Sequence, residues 1–385
     1  MTAHVGLTNS ILDVPGLRVG NAHAPSQWTG VSVVVFDAPG GVFAAADVRG
    51  GAASVFGAAP LALDSLTGVC NAVVLSGGSE FGLAACSAVQ EALAADNANP
   101  CSKRSSRGLV VEGTRVPLVA GAVIYDPPLR TDFGDTRRRL AQLAYTQSQS
   151  EGHCSTEAVS FDADAHNARR LAPCLNGSIG AGFGARCGSL RGGLGTASWV
   201  SEEEGWQVGV LLVNNALGSV LANESSPAFL AAAFERDGEF GSNLALDGCD
   251  RRMSMELART ALQRFNKFGT GEDGPKPCTV VGVVAVASSQ FHITRAHLQR
   301  IAVMAQAGVS AAVFPAHCAM DGDTLFAVCT LSGPRERAAS LGLLTRIGAA
   351  AQACTARACT KAVHAAAPVD ENSRPLAWSQ VFSLV

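Results

Sequence analysis

The chain has 385 residues, a formal net charge of -3, and 16% charged against 48% hydrophobic residues. This composition excludes a disordered chain and allows a large buried core. It also argues against a nucleic-acid-binding protein, because the densest basic cluster is the short run Arg137–Arg139 and no broad basic surface is indicated.

The sequence also contains few signals of targeting or metal binding. The N-terminal sequence MTAHVGLTNSILDVPG has no pattern of a secretion signal, and no run of about 18 apolar residues predicts a membrane-spanning helix. The 12 cysteines include no C-x-x-C pair, and His292 and His297 are badly spaced for one helix face. We therefore expect a cytoplasmic protein without metal, cofactor, nucleic-acid or membrane partner.

The first third of the chain alternates short apolar runs with glycine turns. We predict strands at 32–39, 41–48 and 71–78, because these runs are short and apolar, and a buried helix at 83–95. The turn SGGS at 76–79 has two interpretations. It presents backbone N–H groups at a helix N-terminus as an anion or oxyanion site, or it only permits tight packing.

The middle of the chain changes from a polar segment to segments typical of a buried core. Residues 130–172 are polar and charged, which predicts a surface insertion with one or two helices. The segments 177–199 and 208–220 return to core-like sequence, and the glycines of the first imply that another backbone or a substrate approaches closely. A helix is predicted at 253–265, and a loop rich in glycine and proline at 267–277.

The last third carries the most regular pattern. In order, we predict a strand at 279–287, a helix at 294–307, a strand at 309–314, a turn at 318–323, a strand at 324–330 and a long helix at about 335–366. Strands and helices do not alternate as in βαβ units. The sequence therefore predicts one α/β domain in which strands are sandwiched between helices.

The junction GPKPCTVVGVVAV (274–286) places Thr279 directly behind a loop and at the start of a buried strand. An ordinary loop-to-strand boundary is one interpretation. In the other, the hydroxyl attacks the preceding carbonyl, and hydrolysis of the resulting ester leaves Thr279 as a new N-terminus. Its α-amine, with a reference pKa of about 8, is then a built-in base near neutral pH.

The chain resembles, over nearly its whole length, the DmpA/BapA-type L-aminopeptidase/D-esterases, which include β-peptidyl aminopeptidases and nylon-oligomer hydrolases. Eight segments in family order carry the resemblance: ILDVPGLRVGNA (11–22), DVRGGA (47–52), VVLSGGSEFGL (73–83), VPLVAGAVIYD (116–126), GSIGAGFGARCGSLRGGLGTAS (177–198), VNNALG (213–218), CTVVGVVA (278–285) and DGDTLFAVCT (321–330). Eight ordered segments are far more specific than any one glycine motif.

The resemblance implies a precursor that cuts itself and then works as a hydrolase. The fold would be a four-layer αββα sandwich similar to the N-terminal-nucleophile hydrolase fold with different connectivity. The cut would fall between Cys278 and Thr279, giving fragments 1–278 and 279–385 that stay together. The processed heterodimers would assemble into a homotetramer. Small peptides, amides or esters with a free amine would be the substrates.

The resemblance also assigns roles to individual residues. Thr279 falls on the nucleophile, and Asn215 on the asparagine that serves as oxyanion donor or orients the substrate. Asp321 and Asp323 fall on groups that form hydrogen bonds around the nucleophile and its amine. From the residues alone, Asn215 is equally well a cap at a strand end, and Asp-Gly-Asp a hairpin turn.

Four further residues are predicted to line the substrate pocket. They are Tyr125, Arg191, Ser79 and Glu80. Arg191 stands where threonine-type members of the family have lysine, and it keeps the charge but cannot transfer a proton. Glu80 stands where a small or apolar residue is more usual, so it is expected to favour a cationic group.

Three alternatives remain open at this stage. A cut before Cys278 would make that cysteine the N-terminal nucleophile. A chain that does not cut itself would be a pseudoenzyme with a binding or structural role, which the departures at Cys278 and Arg191 motivate. Acyl transfer of the ornithine acetyltransferase type is the third. His317 either reaches the pocket or is structural.

Overall fold

A computed structural model describes residues 3–99, 107–126, 134–150, 159–162, 165–170, 175–222, 227–241, 267, 278–370 and 375–382. For 159–162 and 165–170 it describes the backbone alone. The helix predicted at 253–265, and the loop predicted at 267–277 apart from Lys267, lie outside these residues.

The described residues form the following elements. The strands are β1 Leu17–Ala24, β2 Thr29–Phe36, β3 Val42–Val48, β4 Val55–Phe56, β5 Val69–Cys70, β6 Ala72–Ser76, β7 Leu109–Val111, β8 Thr114–Val116, β9 Val119–Val123, β10 Val159–Asp162, β11 Ala165–Arg170, β12 Arg186–Cys187, β13 Leu190–Arg191, β14 Gly193–Ser201, β15 Trp206–Asn215, β16 Thr279–Ser288 and β17 Thr324–Leu331. The α-helices are α1 Ala84–Ala98, α2 Asp135–Ser148, α3 Arg295–Ala312, α4 Leu341–His364 and α5 Trp378–Val381.

Two large sheets organise these strands. One has seven strands in the order β11-β10-β1-β2-β6-β9-β4, and the other has six in the order β14-β15-β16-β17-β3-β5. Most neighbours are antiparallel, while β16 runs parallel to β17. The two short hairpins β7-β8 and β12-β13 complete the described strands.

The sheets and helices stack in four layers. Helices α1 and α2 pack on the seven-stranded sheet, and α3 and α4 pack on the six-stranded sheet. One hydrophobic core lies between the two sheets, and a further core lies between each sheet and its helices. The prediction of an αββα sandwich is confirmed.

The apolar run that begins at Thr279 becomes β16, a strand that is buried along its whole length. Because both faces are covered, its residues are apolar throughout instead of alternating with polar ones. Val281 lies in the core between the sheets, whereas Val280 lies in the core under α3 and α4. By the period of two, Thr279 shares the inter-sheet face with Val281, as Asn215 of β15 does with Val213.

The glycines of β14 allow a helix to approach closely. A Cβ at Gly195 would lie 2.0 Å from the carbonyl oxygen of Ala358, and one at Gly193 would lie 2.4 Å from that of Ala362. Both carbonyls belong to α4. Of the two interpretations of this glycine-rich segment, close approach of another backbone is therefore the one observed at these positions.

The strand predicted at 309–314 is wrong. Residues up to Ala312 continue α3, and Val309 and Ala312 are buried in the core under the six-stranded sheet. A short apolar run has no period that separates a strand from the end of a buried helix. Packing of α3 against α4 decides the outcome here.

The described part of 130–172 belongs to the layered fold. Helix α2 buries Leu140, Ala141 and Ala144 against the seven-stranded sheet, and β10 and β11 form one edge of that sheet. The segment looks exposed by composition because α2 also buries polar side chains, including that of Arg137, which is 1% exposed. Here the prediction of a surface insertion does not hold.

Candidate active site

The peptide between Cys278 and Thr279 lies at the edge of the inter-sheet core. Thr279 is 7% exposed, and its Oγ1 donates a hydrogen bond to the carbonyl oxygen of Cys278. The same oxygen accepts the backbone N–H of Gly322 at 2.9 Å. A hydroxyl and a backbone donor therefore converge on one carbonyl oxygen, and the backbone N–H is a donor of the kind that stabilises an oxyanion.

Gly322 leaves room for this arrangement. A Cβ at this position would lie 2.8 Å from Thr279 Oγ1, closer than real side-chain carbons approach. The sequence patterns missed this donor, because a backbone N–H has no residue signature. The glycine of Asp-Gly-Asp is the available signal, and a hairpin turn accounts for it equally well.

Asp321 supplies a buried carboxylate beside the junction. Its backbone pairs with Cys278 in a short parallel bridge, and its Oδ2 accepts the N–H of Cys318 at 2.6 Å. Its Oδ1 is buried and has no hydrogen-bond partner within the described ranges. Burial, followed by the nearby Asp323, raises the pKa of Asp321, which makes this carboxylate a stronger base than usual.

Asp323 joins the start of β16 to the loop before β17. Its Oδ1 accepts the N–H of Val280 at 2.6 Å. Its Oδ2 accepts the backbone N–H of His317 at 3.1 Å and lies 2.8 Å from His317 Nδ1. These contacts fit the interpretation of His317 as structural. His317 fixes the Asp323 carboxylate, and this carboxylate holds Val280, the residue after Thr279.

Asn215 lies directly opposite Thr279 in the β15–β16 ladder. It is fully buried, its Oδ1 accepts the N–H of Arg186 at 2.9 Å, and its Nδ2 donates to the carbonyl of Tyr125 at 3.2 Å. A carboxamide has a second N–H on the same nitrogen, which is available chemically for an oxyanion. The structure thus brings Asn215 and the backbone of Tyr125 to the predicted nucleophile.

Lys267 is a member of the site that the sequence patterns did not indicate. It is 5% exposed, and its Nζ donates to three carbonyl oxygens, those of Arg186 at 2.6 Å, Asn215 at 2.8 Å and Ala216 at 3.1 Å. Nζ also lies 3.3 Å from Asn215 Oδ1. Burial lowers the pKa of Lys267. A single lysine in a loop-like segment gave no signal of this role.

Arg191 has contacts that anchor separate chain segments. Its guanidinium donates to the carbonyls of Phe183 at 2.6 Å and Ala367 at 3.2 Å, and lies 4.6 Å from the centre of the Trp28 ring. Arg191 is 3% exposed. Such planar, bidentate and stacked contacts suit arginine and would be poorly reproduced by lysine.

The SGGS turn packs tightly and does not present its first N–H groups to a ligand. The N–H groups of Gly77, Gly78 and Ser79 all donate within the protein. Their acceptors are Gly30 O at 2.9 Å, Asp126 Oδ1 at 2.6 Å and Ile124 O at 2.9 Å. The interpretation as an anion site is therefore wrong for these three groups, and the packing interpretation holds.

Glu80 follows this turn and is exposed. Its carboxylate accepts a hydrogen bond from Ser54 Oγ. Ser54 follows Ala53, whose Cα lies 3.4 Å from where a Cβ of Gly322 would be. Glu80 is thus placed on the surface near the Asp-Gly-Asp turn, while Ser79 and the side chain of Tyr125 are partly buried.

Two wider searches of the described ranges gave negative results. No cluster of three or more His, Cys, Asp or Glu side chains could hold a metal ion there. None of the described helices is long and apolar enough to cross a membrane.

The four layers place Thr279 at the start of β16, a central strand of the six-stranded sheet. Residues 9–375 match the model of peptidase family S58, and the chain belongs to this family. An uncharacterized aminopeptidase of Mycobacterium leprae is 32% identical over 378 residues, covering 94% of this chain and 91% of the relative. An uncharacterized aminopeptidase of Mycobacterium tuberculosis H37Rv is also 32% identical, covering 94% of this chain and 95% of the relative.

Solved structures share the fold. A β-aminopeptidase of a Burkholderia species has a TM-score of 0.62 at 18% identity, covering 100% of this chain and 96% of its own. The L-aminopeptidase D-Ala-esterase/amidase of Ochrobactrum anthropi is described as a variant of the Ntn hydrolase fold. It has a TM-score of 0.62 at 17% identity, covering 99% of this chain and 94% of its own. Together with the family match, these findings confirm the predicted family, the fold and a hydrolase of the aminopeptidase type.

Proposed function

We propose that this protein is a self-processing aminopeptidase in which Thr279 first cuts the chain and then serves as the catalytic nucleophile. The observation that carries the proposal is the convergence of two donors on the Cys278 carbonyl. Thr279 Oγ1 lies against it, and the Gly322 N–H donates to it at 2.9 Å.

The cut proceeds by an acyl shift. Thr279 Oγ1 attacks the carbonyl carbon of Cys278, and its proton passes to a base. We assign this role to Asp321, whose Oδ1 is buried without a hydrogen-bond partner in the described ranges and whose pKa is raised. The Gly322 N–H stabilises the oxyanion. The C–N bond then breaks as the nitrogen of Thr279 takes a proton, leaving an ester. Water hydrolyses this ester to a carboxylate on Cys278 and restores the threonine hydroxyl.

Turnover uses the same groups in a new order. The freed α-amine of Thr279 accepts the proton of Oγ1 while this oxygen attacks the substrate carbonyl carbon. The α-ammonium then gives that proton to the leaving amine or alcohol, the scissile bond of the substrate breaks, and an acyl-enzyme ester remains on Oγ1. Departure of the Cys278 carbonyl frees the Gly322 N–H to bind the substrate oxyanion, with Asn215 as a second donor. Asp321 and Asp323 orient the amine and the start of β16. Water completes the cycle by hydrolysing the ester.

An aminopeptidase must also recognise a free amine on its substrate. Glu80 is an exposed carboxylate near the Asp-Gly-Asp turn, and its hydrogen bond with Ser54 holds it there. We assign it to the substrate ammonium, with Tyr125, Ser79 and Arg191 as the remaining predicted pocket residues. A small peptide, amide or ester would fit this arrangement.

Processing, assembly and location are parts of the same proposal. The products are fragments 1–278 and 279–385, which stay associated because β16 pairs with β15 over ten residues. We propose a homotetramer of these heterodimers in the cytoplasm. The reducing compartment is supported by the eight cysteines with described positions, all of which are free thiols.

Cys278 is the rival nucleophile. Burial raises the pKa of its thiol, which disfavours the reactive thiolate, although Lys267 acts in the opposite direction. For Thr279, the carbonyl that would be attacked is that of Cys278, and its oxygen already accepts the backbone N–H of Gly322 at 2.9 Å. We therefore retain Thr279 as the nucleophile.

A matched substrate panel tests the activity. We expect hydrolysis of aminoacyl p-nitroanilides or β-amino acid amides, and a loss of at least about tenfold when the substrate amine is acetylated, because an ion pair with a carboxylate is lost. Equal rates on free and acetylated substrates would contradict an aminopeptidase. Acyl exchange with ornithine, in place of hydrolysis, would indicate the transferase alternative.

A further inference from the structure

We propose that Lys267 is a positioning residue of this site, whose ammonium holds the end of β15, and with it Asn215, against Thr279 during both self-cleavage and turnover. The inference rests on the proposed function. It adds a residue that lies on the N-terminal side of the cut and is separated from Asn215 by 52 positions in the chain.

The contacts of Lys267 are those of an anchor. An ammonium has three N–H donors, and three backbone carbonyls accept from Nζ at 2.6 to 3.1 Å. Two of these carbonyls, of Asn215 and Ala216, lie where β15 ends, and the third belongs to Arg186. Lys267 thus joins the end of β15 to the neighbouring β12.

The same ammonium fixes the orientation of the Asn215 carboxamide. Asn215 Oδ1 lies 3.3 Å from Lys267 Nζ and also accepts the N–H of Arg186. Because two donors face this atom, it is the carbonyl oxygen of the amide, and the other atom is the nitrogen Nδ2. Since Asn215 is the direct partner of Thr279 in the ladder, an amide flip or a shift of this strand end would displace the donor from the reacting carbonyl.

The electrostatic surroundings of Lys267 make its charge sensitive to pH. The groups that face it are the Cys278 and Cys187 thiols, the Arg186 guanidinium and, more weakly, the Asp321 carboxylate. Burial, assisted by Arg186, lowers the pKa of Lys267 below its usual value. The ammonium is the positioning form, so its effect is complete at low pH and is lost as pH rises through this lowered pKa.

The position of Lys267 in the chain lets one residue serve both reactions. It lies on the N-terminal side of the cut, within fragment 1–278, so cleavage does not remove it from the protein. Its own contacts to β12 and β15 hold it in place when Cys278 becomes a chain end. Self-cleavage tests the role of Lys267 more directly than turnover does. The α-amine of Thr279 does not yet exist in the precursor, so it cannot contribute to the fall of the cleavage rate at high pH, the alkaline limb of the pH–rate profile.

The test follows precursor cleavage over time after a short pulse of cell-free synthesis, from pH 6 to 10. Lys267→Met is expected to slow cleavage by about a hundredfold, the effect of a displacement of about 1 Å. Lys267→Arg should restore most of the rate and move the alkaline limb to higher pH, because arginine keeps its proton. Lys361→Met is the matched control. Lys361 is also buried, and its pKa is also lowered, but its ammonium contacts Glu239 and the carbonyl of Asn9 instead of the end of β15.

The outcomes separate this inference from the proposed function. An uncut wild-type chain would overturn both. A wild type that cuts itself, with Lys267→Met cleaving at the same rate and with the same alkaline limb, would overturn the role of Lys267 alone. So would Lys267→Arg and Lys361→Met both slowing cleavage as much as Lys267→Met, since that pattern reflects general destabilisation. Rescue by arginine with a shifted limb supports the role.

Discussion

Thr279→Ala is expected to leave a single uncut chain of 39.4 kDa without aminopeptidase activity. The substitution removes the only atom that attacks the Cys278 carbonyl in the proposed mechanism, and it removes the nucleophile of turnover as well. We expect both rates to fall by at least about a thousandfold, since deleting a catalytic nucleophile can reduce a rate by about a millionfold. Gel analysis over several days and a p-nitroanilide assay measure the two effects.

Thr279→Ser is the matched control, because it keeps the hydroxyl and removes only a methyl group. It should still yield two fragments, at a rate within about tenfold of the wild type, the range expected for one buried methyl group. Thr279 is buried at the start of β16, and alanine fits this position without a clash because its side chain is smaller. Cleavage of the alanine variant at the wild-type rate would show that another group cuts the chain.

Gly322→Ala is expected to slow self-cleavage strongly while leaving the fold intact. The new Cβ would lie 2.8 Å from Thr279 Oγ1, so either the hydroxyl rotates away or the turn shifts. A turn shift moves the N–H that now lies 2.9 Å from the scissile carbonyl oxygen. Loss of one oxyanion donor typically reduces the rate by about a hundredfold or more, and a precursor time course measures it.

Gly40→Ala provides the comparison for this glycine. Nothing lies within 4 Å of a Cβ at Gly40, so alanine fits there without displacement. It should cleave at the wild-type rate and melt at nearly the wild-type temperature. If Gly322→Ala cleaved as fast as Gly40→Ala, the Gly322 N–H would not be the donor that assists the cut.

The layered fold was accessible from sequence because its strands are short, β-branched and separated by glycine turns. The strands predicted at 32–39, 41–48 and 279–287 correspond to β2, β3 and β16, and the helix at 83–95 to α1. The predicted strand at 309–314 failed, since its apolar run is shared by buried helix ends and strands. Only tertiary packing against α4 distinguishes the two.

The candidate site was predictable in part, and for two different reasons. A threonine at a loop-to-strand junction suggests the chemistry by itself, whereas Asn215, Asp321 and Asp323 were assigned by resemblance to the family. The structure brings these residues together around one peptide, with Asn215 opposite Thr279 and Asp323 bound to Val280. Their catalytic roles remain predictions until variants are measured.

The remaining groups of the site carry no sequence signature. The Gly322 N–H is a backbone donor, and its function depends on where the turn before β17 lies relative to the Cys278 carbonyl. Lys267 comes from a segment with the composition of a loop, and only its burial under the end of β15 identifies it. The SGGS turn shows the reverse, since a motif typical of anion binding uses its N–H groups for packing.

The central claim is that the chain cuts itself before Thr279, and intact-mass analysis of the purified wild-type protein tests it most directly. We predict two fragments, residues 1–278 and 279–385, with N-terminal sequencing of the smaller one beginning at TVVGVVAV. Both fragments should elute together on size exclusion. A single mass of 39.4 kDa after prolonged incubation, or a small fragment that begins at Cys278, would contradict the account.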